Sequence, residues 1–404
     1  MAHFTKATSL HDWMNQRLGI DTVRRVMATE YWIPKNINFL WAMGMVLAVT
    51  FAMLLISGLF LLMYYQPNIH LAFDSVNDVI MRQVPFGWLF RDIHAVAASI
   101  VFLVIYIHML TGIYYGSYKK GREMIWISGM LLYVAFSAEA FSGYMLPWGQ
   151  LSYWAGTVIT DLFSLGSLHA EWLLHWIRGG YTPGQPFLDR FFALHVVLLP
   201  LLVIGLIGLH FGALRIPHVN NQEGEEIDFE AEAKKYKSGD KKGSKVIAFA
   251  NDFMSKDMFV VGVYLIFFFY LVLFHNGFAL DPINFIPANP MHTPASVEPE
   301  WYFLWSYDIL RGFSTNVGLI AFAFAQGIFF VFPFLDRSPN AKPASKRGIF
   351  FLWFWILVID MTGLTIMGKL PPEGMYREVG VMFAYIFIAL FIILPFITKF
   401  EKKV

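Results

Sequence analysis

The chain contains no cysteine. That excludes disulfides, thiolate metal sites, iron–sulfur clusters and a covalently attached c-type haem, so any redox metal here must use other ligands. Charge is scarce too: Asp, Glu, Lys and Arg make up 15% of the 404 residues, against roughly 25% in ordinary soluble domains. Lys plus Arg number 30 and Asp plus Glu 29, a net charge of +1, so nothing points to nucleic acid or to a general acidic partner. What is plentiful is apolar, with 57% hydrophobic and 18% aromatic residues. Lipid, rather than water, is the solvent such a chain suits.

A membrane-crossing helix needs about 20 mostly apolar residues. Stretches of that kind without Lys or Arg run over 38–62, 94–115, 126–146, 191–212, 258–278, 317–335, 349–368 and 379–398. They predict an all-α membrane protein with eight transmembrane helices and both termini on one side. Lys and Arg gather in the N-terminal arm, the second loop, the loop from Arg215 to Lys256, the loop from Arg337 to Arg347 and the tail. The opposite face keeps Arg82, Arg91, Arg178, Arg190, Arg311, Lys369 and Arg377. Basic loops stay on the cytoplasm-like side, here called n, with the other face called p; the termini are therefore expected on the n side.

Four regions follow. Residues 1–36 form an n-side arm, polar and broken by Pro34 rather than shaped like a cleaved signal, with a short amphipathic helix expected around 10–27. Residues 37–213 hold spans one to four, 214–257 form an n-side loop, and 258–404 carry the last four spans. The Glu-, Lys- and Gly-rich segment 220–245 reads as a solvated, partly mobile linker.

Four of the 12 histidines fall inside spans: His94 and His108 in the second, His195 and His210 in the fourth. At 100° and 1.5 Å per residue, separations of 14 and 15 return close to one helical face after about 21 to 22 Å. Each helix thus offers two imidazoles, one near each side of the bilayer, and the two helices run in the same direction. His94 faces the level of His195, and His108 that of His210. Single intramembrane histidines serve as polar glue between helices or in proton relays, whereas two matched pairs suit bis-histidine haem. Gly44 and Gly58 in the first span and Gly129 and Gly143 in the third repeat the interval of 14. Glycine lets a flat macrocycle approach the backbone. Together the four helices describe a dihaem four-helix bundle.

Longer motifs carry a resemblance: GWLFRDIHA around His94, YYGSY at 114–118, GYMLPWGQLSYWAGTVIT at 143–160, DRFFALH ending at His195, and PANPMHTPASVEPEWYFLWSYDILRG at 287–312. Over nearly its whole length the chain resembles cytochrome b, the quinol-oxidising membrane subunit of respiratory and photosynthetic bc complexes. The resemblance implies two non-covalent b-type haems, the lower-potential one between His94 and His195 and the higher-potential one between His108 and His210. Arg91 matches an arginine pairing with a haem propionate. Tyr144, Gly156, Pro299, Glu300, Tyr302 and Tyr307 match the p-side quinol oxidation site. There Glu300, beside an aromatic wall, is suited to accept a quinol proton. On the n side Asp257 matches the acidic residue of a quinone reduction pocket, and Arg215 stands where the mitochondrial pattern has a quinone-binding histidine. Thr111 replaces an arginine near the n-side propionates, with Lys119, Lys120 or Arg122 as alternatives. The other eight histidines, His218 among them, read as surface or interfacial by default.

The implied activity is that of a quinol–cytochrome c reductase. One electron from quinol goes to a Rieske iron–sulfur partner, and the other crosses two b haems to quinone on the n side. The absent cysteines place the iron–sulfur cluster and the c-type cytochrome on partner subunits, and the resemblance implies a dimeric complex. The unsplit chain, Arg215 and the 15-residue interval in the fourth span incline the reading toward a bacterial plasma membrane. A transporter with relay histidines, and a dihaem anchor for a dehydrogenase, are the rival classes. The first predicts no haem, and the second needs neither the Pro299–Glu300–Trp301–Tyr302 loop nor spans six to eight.

Overall fold

The computed structural model describes residues 7–25, 30–164, 170–275 and 277–401. Among these, eight helices are long and apolar enough to cross a membrane: Phe39–Leu62, Gly87–Tyr115, Glu123–Tyr144, Gln185–Arg215, Met254–Phe274, Thr315–Leu335, Ile349–Lys369 and Gly374–Lys399. The helical solution is forced, since a backbone in hydrocarbon must satisfy its own hydrogen bonds. Three helices are clearly longer than their apolar runs: the second, the fourth and the eighth. The second starts at Gly87, so Arg91 and the buried Asp92 lie within its first turns rather than ahead of it. At 1.5 Å per residue its 29 residues rise about 43 Å, past the hydrocarbon core of about 30 Å, which leaves the charged end in the interfacial zone.

The first and second spans pack along each other, as do the third and fourth. Histidines of the second and fourth bring the two pairs face to face. The fifth span lies against the first two through Val261, Phe268, Leu271 and Val272, which pack on Val46, Val96, Ile100 and Val104. Spans six to eight surround a short helix, Leu304–Gly312, around an aromatic core that includes Trp305, Phe329, Phe332, Trp353, Phe387 and Phe391.

On the n side the expectation of a solvated linker over 220–245 is corrected. The segment holds a helix, Phe229–Lys237, and leads into a strand, Val246–Ala248, that pairs antiparallel with Trp32–Pro34 of the arm. Apolar residues explain the order. Trp32, Ala233, Val246 and Ala248 are buried together, while the lysines and glutamates between them face outward. The arm also departs from one continuous amphipathic helix: Leu10–Leu18 and Ile20–Arg24 are separated by Gly19 at φ +63°. Residues 26 and 27 of the expected stretch lie outside the described residues.

A buried ionic cluster ties three n-side segments together. Asp336, just past the sixth span, receives Arg347 at 2.8 and 2.9 Å and Lys119 at 3.1 Å, and Tyr118 donates its hydroxyl to it. Arg347 continues to Glu401 in the tail at 3.0 Å. Burial alone would raise the Asp336 carboxyl, but Arg347 and Lys119 hold it below the usual carboxylate range. Removing one partner of a buried pair leaves uncompensated charge, at a cost of about 3–5 kcal/mol. Asp336→Ala is therefore expected to lower the Tm of the detergent-purified protein clearly, whereas Lys234→Ala, in an exposed pair with Glu230, should leave it nearly unchanged. Equal Tm values for the two variants would remove the cluster's structural role.

Candidate functional site

The four intramembrane imidazoles meet in two pairs. The ring centres of His94 and His195 are 6.0 Å apart with planes at 83°, and those of His108 and His210 are 6.5 Å apart at 72°. Two metal–nitrogen bonds of about 2 Å and two half-rings of about 1.2 Å span about 6.4 Å, so each gap would admit one haem iron between its two imidazoles. The residues fit a haem at each level, held by Nε2 of both rings.

The fourth span reaches this arrangement despite its interval of 15. Leu194–Leu198 forms a single π-helical turn that begins one residue before His195. Pro200 follows and has no N–H to donate to the turn before it, which favours a local widening. A π-turn absorbs one residue, so His195 and His210 behave as a pair 14 apart.

Each of the four glycines lies beside an imidazole on the adjacent helix. A Cβ on Gly58 would stand 3.3 Å from Cε1 of His94, on Gly129 3.3 Å from that of His210, and on Gly44 3.9 Å from that of His108. At Gly143 it would be 2.4 Å from Cε1 of His195, closer than any real contact. Three of these glycines follow a serine, and two of those serines fix an imidazole: Ser57 lies 2.9 Å from Nδ1 of His94, and Ser128 2.9 Å from Nδ1 of His210. The Ser-Gly repeat stands in the sequence, but only the packing shows which imidazole each serine faces. Glu139 was missed as well; its carboxyl and backbone oxygens both lie 3.1 Å from Nδ1 of His195.

A cavity of about 250 Å³ opens from the His94–His195 level toward the p side. Arg91, Glu139, Tyr144, Asp281, Glu300 and Tyr302 are among its walls. Two of the motif segments build it jointly. Gln150 donates to the His292 carbonyl and accepts from the Asn289 N–H, and Ser152 binds Asn284. Gly149 is required here, since a Cβ would come 2.3 Å from Oδ1 of Asn284. The Glu300 loop is clamped to the second span. Trp301 donates to Ser99 at 2.8 Å, Tyr302 stacks on Phe102 with ring centres 3.9 Å apart, and Trp305 donates to Tyr106 at 3.0 Å. Burial, with the Asp281 carboxylate adding to it, pushes the Glu300 carboxyl up to about 7. The Tyr144 hydroxyl is buried with no hydrogen-bond partner. Gly156, Pro299 and Tyr307 stand outside the cavity's walls. Gly156 admits the close approach of Met145 and Phe187, and Tyr307 lies under the guanidinium of Arg311.

A second cavity, about 400 Å³ on the n side, is lined by Asn38, Phe39, Phe253, Lys256 and Asp257 among others. Asp257 is buried, and one of its oxygens has no partner. Arg215 is not among these walls. It stacks over Tyr31 at 3.7 Å, and Tyr31 continues a stack through His218 to Phe229. His218 is thus packed between two rings rather than free at the surface, and burial moves its imidazole below the usual value. Lys119, Lys120 and Arg122, the alternatives to an arginine at 111, are engaged elsewhere: with Asp336, with Glu226, and with the carbonyls of Pro217 and His218. His3 and His169 lie outside the described residues.

Comparison with known proteins agrees with this architecture. Residues 28–217 match the family described as "Cytochrome b/b6/petB", and residues 287–401 match "Cytochrome b(C-terminal)/b6/petD". A protein of Rickettsia conorii named "Cytochrome b" is 38% identical over 399 residues, covering 98% of this chain and 96% of its own. One of the same name from Rhodobacter capsulatus is 37% identical over 425 residues, covering 99% and 94%. A solved structure titled "Hyperthermophilic respiratory Complex III" superposes with a TM-score of 0.88 at 39% identity, over 97% of this chain and 99% of that one.

The glycine distances rank two substitutions. Gly143→Ala is expected to displace His195 and lose the p-side b-type absorbance, while Gly44→Ala, whose methyl meets ordinary van der Waals contact, keeps both haems. Haem content per purified chain measures this, and full loading of Gly143→Ala would contradict the seating described.

Proposed function

The chain belongs to the cytochrome b family, and from that premise we propose that it is the membrane subunit of a bc-type complex III, oxidising quinol on the p side and reducing quinone on the n side. The observation that carries the reading is the pair of imidazole gaps, 6.0 and 6.5 Å between ring centres, with the p-side gap opening into the cavity that holds Glu300 and Tyr144.

When bound, two b-type haems supply one-electron carriers at two depths of the membrane. The protein's own residues do the rest. Tyr302 and the clamp on the second span hold the Glu300 loop against the cavity. With its carboxyl at about 7, Glu300 is poised to take a proton from quinol near neutral pH, and Tyr144 offers a free hydroxyl to the substrate oxygen. Arg91 supplies positive charge for a propionate beside His94. On the n side Asp257 in its cavity is the proton-exchanging group for quinone, with Lys256 the cation in the same wall, while Arg215, stacked on Tyr31, stands outside it. Carrying one electron from p to n works against the membrane field, about 2.3 kcal/mol per 100 mV.

The partners this requires are a Rieske iron–sulfur protein and a c-type cytochrome, because the cysteine-free chain can hold neither an iron–sulfur cluster nor a c-type haem. We place the complex as a homodimer in a bacterial plasma membrane, with both termini on the n side where the basic loops gather.

Two experiments test the reading. A visible-region redox titration of the purified complex should show two b-type transitions, and substitution of His108 should remove one; a colourless protein would overturn the proposal. Glu300 acts as a base only when ionised, so quinol oxidation should rise with pH up to about 7 and level off above it. Glu300→Gln should slow the reaction and abolish that rise, and an unchanged profile would remove Glu300 from proton transfer.

A further inference from the structure

One imidazole of the four meets a carboxyl group. His94 and His210 each have a serine hydroxyl 2.9 Å from Nδ1. His195 instead has Oε1 and the backbone carbonyl oxygen of Glu139 at 3.1 Å, with the Ser142 hydroxyl more distant at 3.5 Å. Glu139 lies inside the third span, one turn before Gly143, and its side chain is 17% exposed. Its other oxygen, Oε2, is buried without a hydrogen-bond partner. A carboxyl group at such a position is costly unless something compensates; the hydrogen bond at Nδ1 runs to the Glu139 carbonyl, and Oε1 lies at ion-pair distance beside it.

A metal-bound histidine donates its other N–H to an acceptor, which fixes the tautomer and ring orientation, and a carboxylate acceptor raises the basicity of the ligating nitrogen. Hydrogen bonding of this kind is one of the protein's levers on haem potential. Resting on the haem assignment above, we infer that Glu139 is a positioning residue for the p-side haem, accepting the Nδ1–H of His195 and holding that haem's potential below that of its n-side counterpart. The asymmetry is built into the fold. The third span presents Glu139 to His195 at one level and neutral Ser128 to His210 at the other. A stronger donor ligand stabilises the oxidised iron, so the p-side centre gives up an electron more readily than the n-side centre. The resulting downhill step runs from p to n, opposing the membrane field.

The test is a potentiometric titration of the b-type absorbance in the whole purified complex, wild type against Glu139→Gln, with the p-side transition identified as the one retained when His108 is substituted. The variant should keep both haems, and the p-side reduction equilibrium should rise tenfold or more, 59 mV for a one-electron couple, while the n-side transition stays in place. Two unmoved transitions would overturn the assignment. Should the variant lose the p-side haem, the oxidised wild-type complex decides. Its p-side near-infrared charge-transfer band should lie at higher energy than the n-side band, as a more basic imidazole requires, and coincident bands would overturn the inference. A wild-type complex lacking two b-type transitions would instead defeat the haem reading itself.

Discussion

Everything in this molecule hangs on the second span acting as a rigid rod with two imidazoles fixed at its two depths. Lipid forces the backbone to be helical, and the helix then sets His94 and His108 about 21 Å apart on nearly one face. The first span pads the rod with Gly44 and Gly58, and the fourth answers it with His195 and His210. The same rod carries Ser99, Phe102 and Tyr106, to which Trp301, Tyr302 and Trp305 are fastened. Imidazole spacing and the geometry of the Glu300 cavity are therefore properties of one element.

The polar groups left without partners are informative because burying them is costly. Tyr144, Glu139 and Asp257 each keep a buried oxygen unpaired, and each lines one of the two cavities. The buried n-side cluster is the opposite case: Asp336, Lys119, Arg347 and Glu401 satisfy one another almost completely.

Much of this was legible in the sequence. Eight apolar runs, four histidines at intervals of 14 and 15, and four glycines in step with them are patterns of composition and period, and the helical ladder converts them directly into depth and direction. What escaped was set by contacts between elements. Ser57, Ser128 and Glu139 sit in apolar runs whose period does not say which neighbour they face. The helix and strand in 220–248 form because Trp32 and Val246, two hundred residues apart, bury each other. Nothing local to Lys119 announces its partner Asp336, more than two hundred residues on. Gly156 and Tyr307 belong to matching motifs, yet one makes room for neighbouring side chains and the other lies beneath Arg311.

The π-turn at Leu194–Leu198 bears on how relatives should be aligned. An inserted residue in a straight helix swings everything downstream by about 100°, which in a bundle of this kind would carry one imidazole away from its partner. Here the extra residue is taken up locally beside Pro200, so both rings keep their stations. Intervals of 14 and 15 are two solutions to one geometric demand. A gap placed at that turn is the physically correct one, and interval length by itself is a poor marker of descent.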